Sequence, residues 1–254
     1  MISLCNQWEF TPKWTEKFGT GLGVGEPVRL PHTVKMLPLH YADHESYQMI
    51  CGYRRSLNVT EEMQGKRLFL QFDGAAHIAT VYVNGQELAQ HRCGYTAFRV
   101  EITGAVHVGE NILAIKLDTT ENPEIPPFGF VIDYLTYGGL YREVWLDIRN
   151  DSLISDLYIT TPTTESAHLE ITAEKVEGCA YLVEIRDAEG RVLLNKRTLD
   201  GVLDLPMPGA RKWSLQDPYR HSCRVSLCRG TGCWIGRKSG SASEPRSSGG
   251  TAST

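Results

Sequence analysis

The chain has no apolar run approaching the ~18 residues of a membrane-spanning helix, so no helical span is read from it. Its first ten residues, MISLCNQWEF, lack a basic segment followed by an apolar core, and no secretory signal is read there. No CxxC occurs, and the seven cysteines, an odd number scattered along the chain, do not form a disulfide framework. A cytoplasmic location is expected on these grounds. The sequon Asn58-Val59-Thr60 is then incidental, because glycosylation requires secretion. Neither sign of charge dominates: the formal net charge is −4, which gives no electrostatic case for nucleic acid or a membrane surface as partner. Up to residue 150 no segment sustains a helical period. Before the tail there are no internal repeats and no low-complexity stretches.

What is present is alternation of period two. In RLFLQFDG, Leu68, Leu70 and Phe72 share one face, and Phe69 and Gln71 share the other. ATVYVNGQELAQH carries Asn84-Gly85 after a strand-like run, the chemistry of a type I′ hairpin turn. FRVEIT, NILAIKLDT and GLYREVWLDI continue the series. Short strands separated by turns point to an all-β chain, with a jelly-roll sandwich over 1–150. A second set of strands follows. HLEITAEK puts Leu169, Ile171 and Ala173 on one face, and YLVEIRDAEGRVLLNKRTL reads as a hairpin around Ala188-Glu189-Gly190. Residues 151–228 suit an incomplete immunoglobulin-like sandwich.

Specific strings then carry a resemblance. VRLPHTV (28–34), CGYRRSL (51–57), LFLQFDGAAHIATVYVNGQELAQHRCGYTAFRVEIT (68–103) and DYLTYGGLYREVWL (133–146) occur in that order. Together they resemble the N-terminal sugar-binding domain of glycoside hydrolase family 2, the β-galactosidase and β-glucuronidase family. WSLQDPY (213–219) is similar to the turn before the last strand of that family's immunoglobulin-like domain. The resemblance covers roughly residues 1–228. It implies a galactose-binding-like jelly roll, then an immunoglobulin-like sandwich, and in the parent enzyme a (β/α)₈ barrel. That barrel holds two glutamates for retaining hydrolysis, and the mechanism needs carboxylates about 5–5.5 Å apart. No pair of glutamates in this chain is a candidate, so no catalytic residue is expected in it.

The resemblance also implies site residues. Asp133 in DYLTYGGLYREV matches the aspartate that reaches the terminal sugar, partly through a sodium ion. A carboxylate suits that task, since it accepts hydrogen bonds from hydroxyls and ligates hard cations. The competing reading is a loop Asp capping local N–H groups. His40 stands where many relatives place a sugar-facing asparagine. It can still donate to a hydroxyl, although an ordinary loop histidine is the better reading. Arg142 is read as structural, and Tyr95 and Phe98 as core aromatics rather than a stacking platform. No cofactor is expected in the chain itself. The resemblance associates Mg²⁺ and Na⁺, carbohydrate as partner and an oligomeric state with the parent enzyme.

His221, Cys223, Cys228 and Cys233 are zinc-ligand types, but their spacing matches no knuckle or ribbon, and no metal site is expected. The tail KSGSASEPRSSGGTAST (238–254) contains no aromatic and no aliphatic residue beyond Ala. Read in the neighbouring frame, Cys233-Trp234 forces Leu and Trp234-Ile235 forces Asp. KSGSAS then permits Val-Gly-Phe-Arg-Glu, and GGTAST permits Asp-Gly-Phe-Tyr. Residues 229–254 are accordingly expected to be an off-frame, disordered tail, with the slip near Cys228–Gly232. The chain is thus expected to be a truncated, non-catalytic N-terminal part of a retaining β-glycosidase acting on terminal β-galactosides. The alternative is a stand-alone carbohydrate-binding β-sandwich protein.

Overall fold

Nearly every alternating segment of the sequence pairs with another as antiparallel strand. A computed structural model describes residues 1–36, 40, 43–126, 138–174 and 176–242, with backbone only for 44 and 234–242. The chain divides into two units, Met1–Asn150 and Asp151–Thr254. In the first, the elements are β1 (Ile2–Ser3), β2 (Trp8–Thr11), α1 (Glu16–Gly19), β3 (Glu26–Val28), β4 (Ile50–Val59) and β5 (Arg67–Phe72). They continue with β6 (Ile78–Val83), β7 (Gln86–Arg92), β8 (Phe98–Glu101), β9 (Gly109–Asp118) and β10 (Val144–Arg149). Two 3₁₀ turns, His44–Tyr47 and Glu61–Met63, flank β4.

These strands form two sheets, ordered β1-β10-β5-β8 and β3-β2-β4-β9-β6-β7. Long β9 lies between β4 and β6, with Ile115 opposite Tyr53 on one side and Val81 on the other. Leu68, Leu70 and Phe72 are buried together with Tyr53, Val81, Leu113, Ile115 and Leu117 in one apolar cluster. Phe69, on the opposite face of β5, escapes water differently: the Arg67 and Arg99 guanidinium groups lie over its ring at 5.0 and 3.6 Å. The Asn84-Gly85 turn joins β6 to β7 with φ of 51° and 82°, the left-handed pair that a type I′ turn requires.

The second unit comprises β11 (Leu153–Thr163), β12 (Ser166–Glu174), β13 (Ala180–Arg186), β14 (Val192–Thr198), β15 (Val202–Pro206), β16 (Arg220–Arg229) and β17 (Gly232–Ala242). Its sheets run β11-β12-β15 and β14-β13-β16-β17. Leu169, Val183, Val225 and Leu227, all 0% exposed, fill the space between them. The fold is therefore all-β, and no helix of the described residues is long and apolar enough to cross a membrane.

Two expectations change here. The strand pattern was expected to stop near residue 228, yet Gly232–Ala242 pairs with β16 from Arg229↔Gly232 to Arg220↔Ala242. The reason is a property of backbone rather than side chains. Gly230 (φ 59°) turns the chain back, and the free edge of β16 accepts whatever strand follows. Cysteine pairing also occurs locally: Cys228 and Cys233, cross-strand neighbours, form a disulfide with Cα atoms 4.0 Å apart. Cys223 faces the apolar core, so the structure does not gather the four candidate zinc ligands.

Because Ile115 sits at the centre of the larger sheet, Ile115→Ala should lower the unfolding free energy by about 2–5 kcal/mol in urea denaturation. Val24→Ala, at a position 93% exposed, should stay within about 0.5 kcal/mol. A small effect at Ile115 would contradict this placement of the core.

Candidate functional site

The site is built around one short backbone strap, Gly138–Arg142, which leads into β10. Gly139 exchanges both backbone hydrogen bonds with Ala76: its N–H donates at 3.2 Å, and its carbonyl accepts at 3.0 Å. On its other side, His32 N–H donates to Leu140 O (2.8 Å) and Val34 N–H to Gly138 O (2.9 Å). The strap is thus sewn between residues 32–34 and Ala76. Glycine is required at both leading positions. A Cβ on Gly139, whose φ is 137°, would lie 2.4 Å from His32 O, and one on Gly138 would lie 2.7 Å from Thr119 Cβ.

Side chains brace the same strap. Arg142 Nη1 donates to Asp73 O (3.1 Å) and Tyr95 O (3.0 Å), and the Tyr141 hydroxyl donates to Gly94 O. Trp145 Nε1 donates to Asp73 Oδ2 at 2.8 Å, while Gly94 N–H reaches Pro126 O at 3.1 Å. Both chain ends that flank residues 127–137, at Pro126 and Gly138, are therefore anchored to the sandwich. A rigid scaffold is the usual platform for binding residues.

Two histidines lie beside the strap. His32 Nδ1 is 2.9 Å from the hydroxyl of buried Tyr53, and burial lowers its pKa. His77, next to Ala76, is 1% exposed, and its Nδ1 is 3.2 Å from Thr120 O. Since a carbonyl only accepts, Nδ1 carries the proton and Nε2 is left as a lone-pair acceptor. Nε2 is buried and has no hydrogen-bond partner among the described residues. Burial pushes the His77 pKa down, against the carbonyl of Thr120 and the charges of Glu121 and Asp118.

Of the residues expected to meet a sugar, Asp133 lies outside the described residues. His40 is an exposed bend between two such segments. Arg142 is structural, as its two carbonyl contacts show. Phe98 stacks at 4.6 Å on core Phe72 and at 4.3 Å on His91, so its ring packs inward. Tyr95 differs from expectation: it is 40% exposed, and its backbone carbonyl accepts from Arg142. His32, Tyr53, His77 and Thr119 were not singled out from sequence. The available signal was a polar residue in an apolar strand context, such as His77 in AAHIATVYV.

Residues 42–125 match the family model described as glycosyl hydrolase 2 galactose-binding domain-like. The chain belongs to glycoside hydrolase family 2. This family 2 chain is 33% identical to the β-galactosidase of Thermoanaerobacter pseudethanolicus over 216 residues, 80% of this chain and 29% of that protein. It is 32% identical to the β-glucuronidase of Bacteroides fragilis over 251 residues, 89% of this chain and 35% of that protein. The β-glucuronidase of Parabacteroides merdae superposes with a TM-score of 0.81 at 19% identity, covering 95% of this chain and 35% of that one, a likeness of fold. The family 2 chain spans about a third of the length of these relatives. They include both β-galactosidases and β-glucuronidases.

A pH dependence follows from the buried histidines. The unfolded chain protonates His77 near its ordinary value, about 6.5, whereas the folded chain resists protonation. Below about pH 6.5 the unfolded state binds more protons, so stability falls as pH drops. His32, His91 and His221, also lowered by burial, act in the same direction. His77→Asn keeps a donor for Thr120 O and removes one titration. Urea midpoints at pH 7 and pH 5 should therefore differ less in this variant than in the parent, and an equal loss would contradict the assignment.

Proposed function

We propose that this chain forms the non-catalytic, N-terminal sandwiches of a cytoplasmic retaining β-glycosidase that hydrolyses terminal β-galactosides. The observation that supports this reading is the clamped Gly138–Arg142 strap, which fixes the chain directly after the segment that contains Asp133. In the proposed role, Asp133 accepts hydrogen bonds from hydroxyls of the terminal sugar, and His40 donates to a neighbouring hydroxyl. Proton transfer and nucleophilic attack are assigned to two carboxylates of a barrel outside this chain, about 5–5.5 Å apart. Mg²⁺ and Na⁺ belong to that whole enzyme. Among the described residues no group of three His, Cys, Asp or Glu side chains gathers around a metal position, and none of them is assigned a role in holding either ion. The β-galactosidase relative supports the choice of galactoside, and the β-glucuronidase relatives define the competing substrate.

The test grafts residues 1–228 in place of the corresponding region of the Thermoanaerobacter β-galactosidase and compares chromogenic β-galactoside with β-glucuronide. The chimera should turn over the galactoside. Asp133→Asn should raise KM at least about tenfold, the size of a lost hydrogen bond to a charged group, and His40→Ala should raise it less. The 254-residue chain alone should show no turnover above blank. Clear turnover by the chain alone, or an unchanged KM in Asp133→Asn, would contradict the proposal.

A further inference from the structure

The second unit contains a cavity of about 320 Å³ between the β13–β14 turn, the segment after β15 and the start of β16. Its frame is held by hydrogen bonds within the unit. Asp187 accepts from the Arg191 backbone N–H (2.8 Å) and from Arg191 Nε (2.7 Å). The Tyr219 hydroxyl accepts from Ala188 N–H (3.1 Å) and donates to Glu189 Oε2 (2.6 Å). Arg211 lies over the Tyr219 ring at 4.4 Å, its Nε on Asp217 at 2.8 Å. The walls are therefore set before any ligand arrives.

His221 is the exception. It is 5% exposed and lines the cavity, touches Tyr219 edge-on at 5.3 Å, and makes no ring hydrogen bond to any described residue. Its ring nitrogens, unlike His77 Nε2, are not sealed from water, so they are open to bond to whatever enters the cavity. Burial lowers its pKa, so near neutral pH the ring is uncharged and offers one donor and one acceptor. The charges around the cavity cancel, with Asp187 and Glu189 set against Arg191 and Arg211, which disfavours selection of an ion. Leu193 and Met207 supply an apolar wall.

We propose that this cavity binds a neutral saccharide through His221. A sugar hydroxyl is donor and acceptor at once, matching a neutral imidazole, and the C–H face of the ring matches Leu193 and Met207. The volume lies at the small end of ligand sites, about 300–1,000 Å³, the room of a monosaccharide or disaccharide. No residue of the first unit lines this cavity, so the inference does not rest on the role proposed for Asp133.

The experiment titrates the full chain with lactose, glucuronate and inorganic phosphate, using calorimetry and saturation-transfer NMR. Lactose should bind and outcompete both anions. His221→Phe keeps the ring volume and removes both nitrogens. Leu193→Trp, at a position 47% exposed, fills the mouth from the surface and decides the matter if His221→Phe does not fold. Each should weaken lactose at least about tenfold, as expected for one hydrogen bond to a buried group or for a blocked site. Asp133→Asn should leave lactose binding in place. Absence of lactose binding, preference for glucuronate or phosphate, or full binding by Leu193→Trp would overturn the proposal. So would loss of binding in Asp133→Asn alone, which would place the sugar on the first unit.

Discussion

Four backbone hydrogen bonds around Gly139 are the constraint on which the candidate site depends. Two join it to Ala76, and two more tie its neighbours to residues 32–34. None needs a side chain, and glycine occupies both leading positions because a Cβ would meet the backbone of His32 and Thr33 at Gly139 and the Thr119 side chain at Gly138. Once the strap is fixed, Arg142 and Tyr141 can reach carbonyls of Asp73, Tyr95 and Gly94 on other segments. The described residues on either side of 127–137, Pro126 and Gly138, are then held by backbone hydrogen bonds to other segments. Geometry at the strap is thus inherited from backbone pairing.

The polar residues near the strap follow the same economy. Tyr53 is buried, and its hydroxyl meets His32 Nδ1; Thr119 is buried, and its hydroxyl donates to Tyr47 O at 2.6 Å. Arg54, 7% exposed, pairs with Glu9 and donates to the carbonyls of Phe18, Leu22 and Gly23, so one buried cation orders the whole segment after α1. These partners convert costly buried groups into fixed geometry. His77 Nε2 stands apart, because it is buried and no described residue satisfies it.

Much of the fold was legible because period-two alternation is a local signal. Leu68, Leu70 and Phe72 announced their common face, and Asn84-Gly85 announced its turn. The family was legible because several short strings occur in one order. The strap was less so: two adjacent glycines read as a turn, and only the assembled sheet shows how closely neighbouring segments approach them. Tyr95 was misread because it precedes β8, where strand spacing no longer fixes which aromatics face the core. The second-unit cavity was illegible for a related reason. His221 lies in a good alternating strand, and its missing partner is visible only when the turn at 187–191 and the segment at 206–211 meet above it. The strand Gly232–Ala242 escaped prediction because its composition is poor in apolar residues, while its pairing is a matter of backbone alone.

Amide hydrogen exchange of the full chain tests the central constraint most directly. If the strap is clamped as described, the amides of His32, Val34, Ala76 and Gly139 will exchange as slowly as those of β4 and β9, although none of the four lies in a strand. Exchange of these amides at the rate of the exposed turn residue Gly104 would contradict the account.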